Sequence, residues 1–195
     1  MSKSTFLSVV CLLAMFITSC GSKKQVVQTS NSPFGEVYSM PCEVHDTKEK
    51  YAATGIFRGS SYQKGECHRN AIANAKAIIR EKYHSVYKGM ISEYSSTAGN
   101  NGGNDIAAKI ERAGDEVVEA VLNDAYEVCS KFSAVDADGM VECYVAIEIE
   151  KGELASKVAK GVSNALSDKE KEEINFNEFL YRKQMEDRMK NQKTE

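Results

Sequence analysis

The chain has 195 residues, with 25 Lys or Arg against 28 Asp or Glu and a net charge of −3. That balance leaves no basic footprint for nucleic acid, and a charged fraction of 27% is ordinary for a globular protein. The only prolines, Pro33 and Pro41, exclude a proline-rich module, and no repeat recurs at solenoid periods.

In chain order, Lys3 precedes an apolar run from Phe6 to Ile17, followed by Thr18-Ser19-Cys20-Gly21. The run is too short for a spanning helix, which needs ~20 apolar residues, and it reads as a secretory signal over 1–19. The order Ile17-Thr18-Ser19-Cys20 resembles a bacterial lipobox, which makes Cys20 the expected site of lipidation and the mature N-terminus. More than one acyl chain gives stable anchoring, each buried methylene adding ~0.8 kcal/mol. Residues 20–40 are polar and without sustained period, a flexible tether behind the lipid. Lys23 and Lys24 are placed to meet anionic headgroups. Gly21 rather than Asp after the Cys resembles an outer-membrane address, with the folded domain in the periplasm.

A domain is expected over 41–165, with a charged helical extension over 166–195. Tyr51 to Gly59 reads as a strand, whose Gly55 and Gly59 allow close backbone approach. From Ser61 to Tyr94 runs a long amphipathic helix with Ile72, Ala75, Ile79, Tyr83, Val86 and Met90 on one stripe. Ser60 or Ser61 is the expected cap. The stretch Thr97 to Asn104, rich in Gly and Asn, is a strong break. A second helix follows, capped by Asn104 or Asp105, with Ile106, Ile110, Ala113, Val117 and Val121 on its stripe.

Ala125 to Val135 and Met140 to Glu150 form a hairpin around Asp138-Gly139, both residues being expected at positive φ. Placing Ala137 opposite Met140 puts Tyr126, Val128, Ser130, Phe132 and Ala134 on one face with Val141, Cys143, Val145, Ile147 and Ile149. Glu127, Cys129 and Lys131 then share the other face with Glu142, Tyr144, Ala146, Glu148 and Glu150. The first face calls for helices over it, and the second can stay wet. After Lys151 a helical stripe carries Leu154, Val158, Val162 and Ala165. Ser167 to Glu170 has capping-box spacing and opens a last helix carrying Ile174, Phe176, Phe179, Leu180, Met185 and Met189. That helix either packs on the domain or is a surface for a partner or a second copy. The fold class predicted is α+β, a small mixed sheet including an antiparallel hairpin, with long helices on one face and a C-terminal helical extension.

The lipobox, the tether, the Pro41-Cys42 entry, the segment HRNAIANAKAII, AYEVCSKF and ECYVAIEIEK together resemble the twenty-kilodalton (Lpp-twenty) envelope lipoprotein family of Gram-negative bacteria. The similarity covers most of 41–165 through patterns of small and apolar residues. It implies a compact α+β domain of a kind used as adaptors in flagellar and secretion-associated envelope proteins, with no agreed enzymatic activity. Cys20 is the one functional residue it carries over.

Beyond Cys20 the mature chain holds Cys42, Cys67, Cys129 and Cys143. An even set in an exported chain favours disulfides. Cys129 and Cys143 fall on opposite hairpin faces, which disfavours their pairing. Cys42 enters near the outer face, and Cys67 lies on the core side of the long helix. Cys42–Cys129 with Cys67–Cys143 is the preferred pairing, with Cys67 and Cys143 as free buried thiols the alternative. Cys42, His45, His68 and Cys129 lack the tight paired spacing of a zinc site, so no metal or other cofactor is expected. Glu142, Glu148 and Glu150 read as a solvated strand face rather than a glycosidase pair. There is no Ser-His-Asp order, phosphate loop or dinucleotide fingerprint. The functional expectation is a non-enzymatic, lipid-anchored structural or adaptor protein with an envelope partner and no nucleic acid. The alternative is a small-ligand binder or enzyme with a pocket between helices and sheet.

Overall fold

The computed structural model describes residues 39–97 and 103–192. The signal segment, Cys20, the tether as far as residue 38, and residues 98–102 of the Gly- and Asn-rich break lie outside the described residues. The elements are β1 (Lys50–Ser60), a 3-10 turn (Ser61–Gln63), α1 (Lys64–Thr97), α2 (Gly103–Asn123), β2 (Tyr126–Phe132), β3 (Met140–Glu150), α3 (Lys151–Ala165), α4 (Asp168–Glu173) and α5 (Glu178–Asn191). This is the α+β architecture expected, with long helices on a small sheet and helices at the C-terminus.

The sheet has the order β1-β3-β2 and both pairings are antiparallel, so it is not mixed. The most apolar strand takes the centre. Val141, Cys143, Val145, Ile147 and Ile149 of β3 are all buried on the inner face. Tyr51 and Ala53 of β1 share that face opposite Ile149 and Ile147. Helix α1 lays Cys67, Ala71, Ala75 and Ile79 over it, and continues past the sheet with Tyr83, Val86, Tyr87 and Met90 in the same core. The stripe is one residue wider than its periodicity indicates, since Tyr87 is buried and Ile78 stays partly exposed. Ser60 caps the 3-10 turn rather than α1 itself, its hydroxyl accepting from the Tyr62 N–H. Helix α2 begins at Gly103, so Asn104 and Asp105 fall inside its first turn, where Asp105 suits the positive end of the helix dipole. Ile106, Ile110, Ala113, Val118, Val121 and Leu122 face inward.

The hairpin register differs from the expected one. Lys131 lies opposite Tyr144 and Phe132 opposite Cys143, two residues from the predicted alignment. The turn is wider than two residues. Asp136 accepts from the Gly139 N–H at 3.1 Å and donates to the Met140 carbonyl at 2.9 Å, while its carboxylate accepts from the Asp138 and Met140 N–H groups. Of the predicted pair only Gly139 has a positive φ, +74°. A shift of two preserves faces, so Cys129 and Lys131 stay outside and Ser130 and Phe132 inside. A bulge between Glu127 and Cys129 then reverses the start of β2, turning Glu127 inward opposite Ile147 and Tyr126 outward opposite Glu148. A Cβ added at Gly139 meets nothing within 4 Å, so its cost there is backbone strain alone. Gly139→Val should lower stability by about 1–2 kcal/mol in urea denaturation, and Gly139→Asn by much less. Equal midpoints for the two variants would contradict this turn.

The C-terminal segment packs on the domain. The capping box forms as its spacing indicates, with Ser167 and Glu170 each accepting from the other's backbone N–H. The expected single helix breaks into α4 and α5 at Asn175, whose φ is +51°. The break rotates the following turn, so Tyr181, Met185 and Met189 enter the core while Phe179 and Leu180 remain exposed. Ala165 is likewise exposed, and Leu166 takes the buried place next to it.

Candidate functional site

The outer face of the sheet is not left wet. Ala52, Tyr144 and Ala146 are buried there, under a segment of chain running from Met40 to Asp46. Met40, Cys42 and Val44 pack with Tyr144, Ala146 and Cys129 as a second small core. Cys42 and Cys129 form a disulfide with Cα atoms 5.5 Å apart, 87 residues apart in sequence. The Cys42 carbonyl accepts from the Thr54 hydroxyl at 2.6 Å, so this entry point is tied to both β1 and β2. Cys42 has φ +57°, a left-handed conformation that is uncommon without glycine.

The second expected disulfide is absent. Cys67 and Cys143 are buried free thiols. Cys67 Sγ points at backbone carbonyls, 3.1 Å from Phe57 O and 3.7 Å from Val141 O, an arrangement that satisfies a weak S–H donor. Burial, with Cys67 nearby, pushes the Cys143 thiol up to about 11, so at neutral pH it stays a protonated, unreactive thiol.

The other candidate residues are dispersed. His45 lies 3.6 Å from Glu43 on the surface, and His68 Nε2 lies 3.0 Å from Glu127 on the inner side of β2. The sulfurs of Cys42 and Cys129 are bonded to each other and offer no thiolates. Among the described residues no cluster of three or more His, Cys, Asp or Glu could hold a metal ion. His84 sits 3.8 Å from Asp115. Glu142 accepts from the Tyr144 hydroxyl beside it. Glu148 and Glu150 share Lys50, whose Nζ lies 2.9 and 3.4 Å from them. The hydrogen bond to Glu148, then that to Glu150, raise the Lys50 pKa.

A cleft of about 270 Å³ opens where β3 passes into α3, lined by Lys50, Asp124, Tyr126, Glu148, Glu150 and Glu153 among others. Its carboxylates are largely engaged, since Lys157 lies 2.7 Å from Glu153 as well. Its volume falls just under the ~300–1,000 Å³ of drug-sized ligand sites. This cleft is the place where a pocket between helices and sheet, one of the expectations, would lie, because Val121 of α2 and Lys157 of α3 line it together with Tyr126 and Ile149 of the sheet. Under α1 the space is filled by Cys67, Ala71, Ala75 and Ile79.

One buried group escapes sequence reasoning. Lys151 is 2% exposed at the start of α3. Its Nζ donates to Thr47 O at 2.8 Å and to Met189 O at 3.0 Å, and lies 4.6 Å from the centre of the Tyr51 ring. It thereby joins the entering segment, β1 and the C-terminal end of α5, where a cation suits the unpaired carbonyls. Burial lowers its pKa. The Tyr51 hydroxyl donates to Gln192 Oε1 at 2.9 Å beside it, and Gln192 donates to Lys82 O and Ser85 Oγ. A lone Lys before an apolar stripe reads as surface, and the only signal was its place directly after the most apolar strand.

The chain matches no protein-family model, no curated protein and no solved structure. Among the described residues no helix is long and apolar enough to cross a membrane.

Proposed function

We propose that this chain is a non-enzymatic, lipid-anchored envelope protein that acts as an adaptor or structural component at the outer membrane, with its domain in the periplasm. The observation that carries the reading is the Cys42–Cys129 disulfide. Disulfides persist in oxidising compartments such as the periplasm, and export is what the 1–19 segment and the Cys20 context independently point to. The resemblance to the twenty-kilodalton lipoprotein family agrees with it. The bond also lies where an anchored domain would use it, since it ties the point at which the chain leaves Met40 to the sheet. A pull from the N-terminal side of Met40 would then act on a covalent closure rather than on β1.

The test is Cys20→Ala. The variant should accumulate as an unacylated precursor and lose retention in the membrane fraction, while the far-UV circular dichroism of its purified domain stays unchanged. Acyl chains on the variant, or undiminished outer-membrane fractionation, would refute the anchor.

A further inference from the structure

The two edges of the sheet are treated differently. Three backbone groups on the free edge of β1 are capped by side chains. The Ala52 N–H donates to Asp46 Oδ1 at 2.8 Å, the Ala52 carbonyl accepts from Lys82 Nζ at 2.8 Å, and the Ile56 carbonyl accepts from Asn74 Nδ2 at 2.7 Å. Side chains standing on open backbone groups are one way of keeping a strand from adding to an edge, alongside edge charges and bulges. The free edge of β2 has no such caps among the described residues.

The open groups on β2 can be named. The Ser133 N–H donates to Glu142 O at 2.8 Å. In an antiparallel ladder, bonded and non-bonded pairs alternate, so Lys131 and Cys129 also turn their backbone groups toward β3. The N–H and C=O of Ser130 and Phe132 therefore face away from the sheet. Toward the start of the strand, the bulge between Glu127 and Cys129 disrupts the edge. What is left is a short template, Cys129 to Phe132.

Two cations flank that template. Lys131 projects on the outer face, on the side of Tyr144 opposite it. Lys64 reaches from α1 to the inner face, its Nζ 5.5 Å from the centre of the Phe132 ring. Among the described residues neither lysine has a carboxylate partner; of the nearby acids, Glu127 lies against His68, and Glu142 accepts from the Tyr144 hydroxyl and keeps its charge. Phe132 itself is 40% exposed and Val128 39%. An incoming strand beside Ser130–Phe132 alternates its side chains between the two faces. It would meet a lysine on each face and an exposed ring at the centre.

We propose that the free edge of β2 receives an extended, acidic segment of a partner protein by strand addition, pairing with the backbone of Ser130 and Phe132 and placing carboxylates against Lys131 and Lys64. The adaptor reading supplies the reason for a partner, but the contact is a property of the folded domain and stands or fails independently of the lipid. Backbone pairing gives the affinity, and the lysines select acidic segments over basic ones.

The full-length chain in detergent is titrated with a capped eight-residue Val-Asp peptide of two Val-Asp-Asp-Val repeats, whose order sets carboxylates on both faces of the strand, and with its Val-Lys counterpart. The Val-Asp peptide should bind saturably and slow hydrogen exchange at the Ser130 and Phe132 amides, with those of β1 unaffected. Lys131→Glu should weaken it about tenfold, consistent with the loss of one close charge pair. Ser130→Pro should abolish binding while leaving the β3 ladder intact, because proline is tolerated where the N–H faces outward. Lys131→Glu serves as the surface-only variant should Ser130→Pro unfold. Equal binding of the Val-Lys peptide, protection elsewhere on the domain, or no binding would overturn the proposal. A concentration-dependent dimer that protects the same two amides without peptide would overturn it in favour of a second copy. Cys20→Ala should bind the peptide as the wild-type chain does, so a failed anchor and a failed edge give separate results.

Discussion

Reduction of the Cys42–Cys129 bond should lower the melting temperature by on the order of 10 °C or more. The closed loop spans 87 residues of sequence separation and contains β1, α1 and α2 entire. In the chain-entropy model, a loop of that length removes ~4–5 kcal/mol of freedom from the unfolded chain. Typical total stabilities are ~5–15 kcal/mol, so the bond is a large part of what holds the domain. The loss has a packing share too. Without the bond, Met40 to Val44 can lift from Tyr144 and Ala146, wetting the outer face. Cys42→Ser and Cys129→Ser should each reproduce most of the drop, and dithiothreitol should then add nothing further. Cys67→Ser should leave the sensitivity to reductant intact, because Cys67 is a free thiol. A further comparison isolates the backbone. Cys42 is held at φ +57°, which glycine adopts freely, so Cys42→Gly should be less damaging than Cys42→Ser by up to ~1 kcal/mol. Scanning calorimetry with and without reductant reads all of these. Non-reducing peptide mapping that finds Cys129 linked to Cys143 would remove the argument.

How far the fold could be read in advance depended on whether a feature is local. The stripe of α1 and the Ser167–Glu170 capping box are set by spacing within one segment, and both appear in the structure. The opposite faces of Cys129 and Cys143 follow from strand alternation and survive a two-residue shift of register. That is why Cys42–Cys129 was legible although the register was not. Features made by three segments were not legible. The bulge at Val128 and the four-residue turn opened by Asp136 trade local pairing against the fit of β2 on β3, and alternation carries no trace of them. The exposure of β2 follows from strand order, since β1 rather than a helix takes the far side of β3. Lys151 is buried only because Thr47 and Met189 bring carbonyls to it from elements 104 and 38 residues away. The Cys67–Cys143 pairing failed for a similar reason. Both residues face the core as predicted, but facing one core does not aim two sulfurs at each other, and Cys67 finds the carbonyls of Phe57 and Val141 instead.

Gly55→Ala should destabilise the domain by ~3 kcal/mol or more, and here the sign is as informative as the size. A glycine in a strand interior normally weakens it, and Ala in its place gains about 0.5–1 kcal/mol through lost freedom of the unfolded chain. Gly55 lies mid-strand in β1 opposite Val145, so a structure-blind expectation is a more stable variant. The packing reverses that. A Cβ on Gly55 would lie 2.0 Å from Ala71 O, 2.4 Å from Ala75 N and 3.0 Å from Ala75 Cβ. Two of these are backbone atoms of α1, which no rotamer change can move aside. The helix touches the sheet here through alanines and a glycine, and one added methyl must push it outward as a body. Overpacking of this kind costs ~1–3 kcal/mol where side chains can yield, and more where the obstacle is backbone. The displaced stretch runs from Cys67 to Ile79, which covers the inner face of β3. Denaturant unfolding gives the magnitude, and hydrogen exchange should show faster opening of α1 between Ala71 and Ile79 than at Met90. Gly139→Ala is the control, because a Cβ there meets nothing and only left-handed strain remains, ~1 kcal/mol. A Gly55→Ala domain as stable as the wild type, or more so, would mean that α1 does not rest on β1 at this contact.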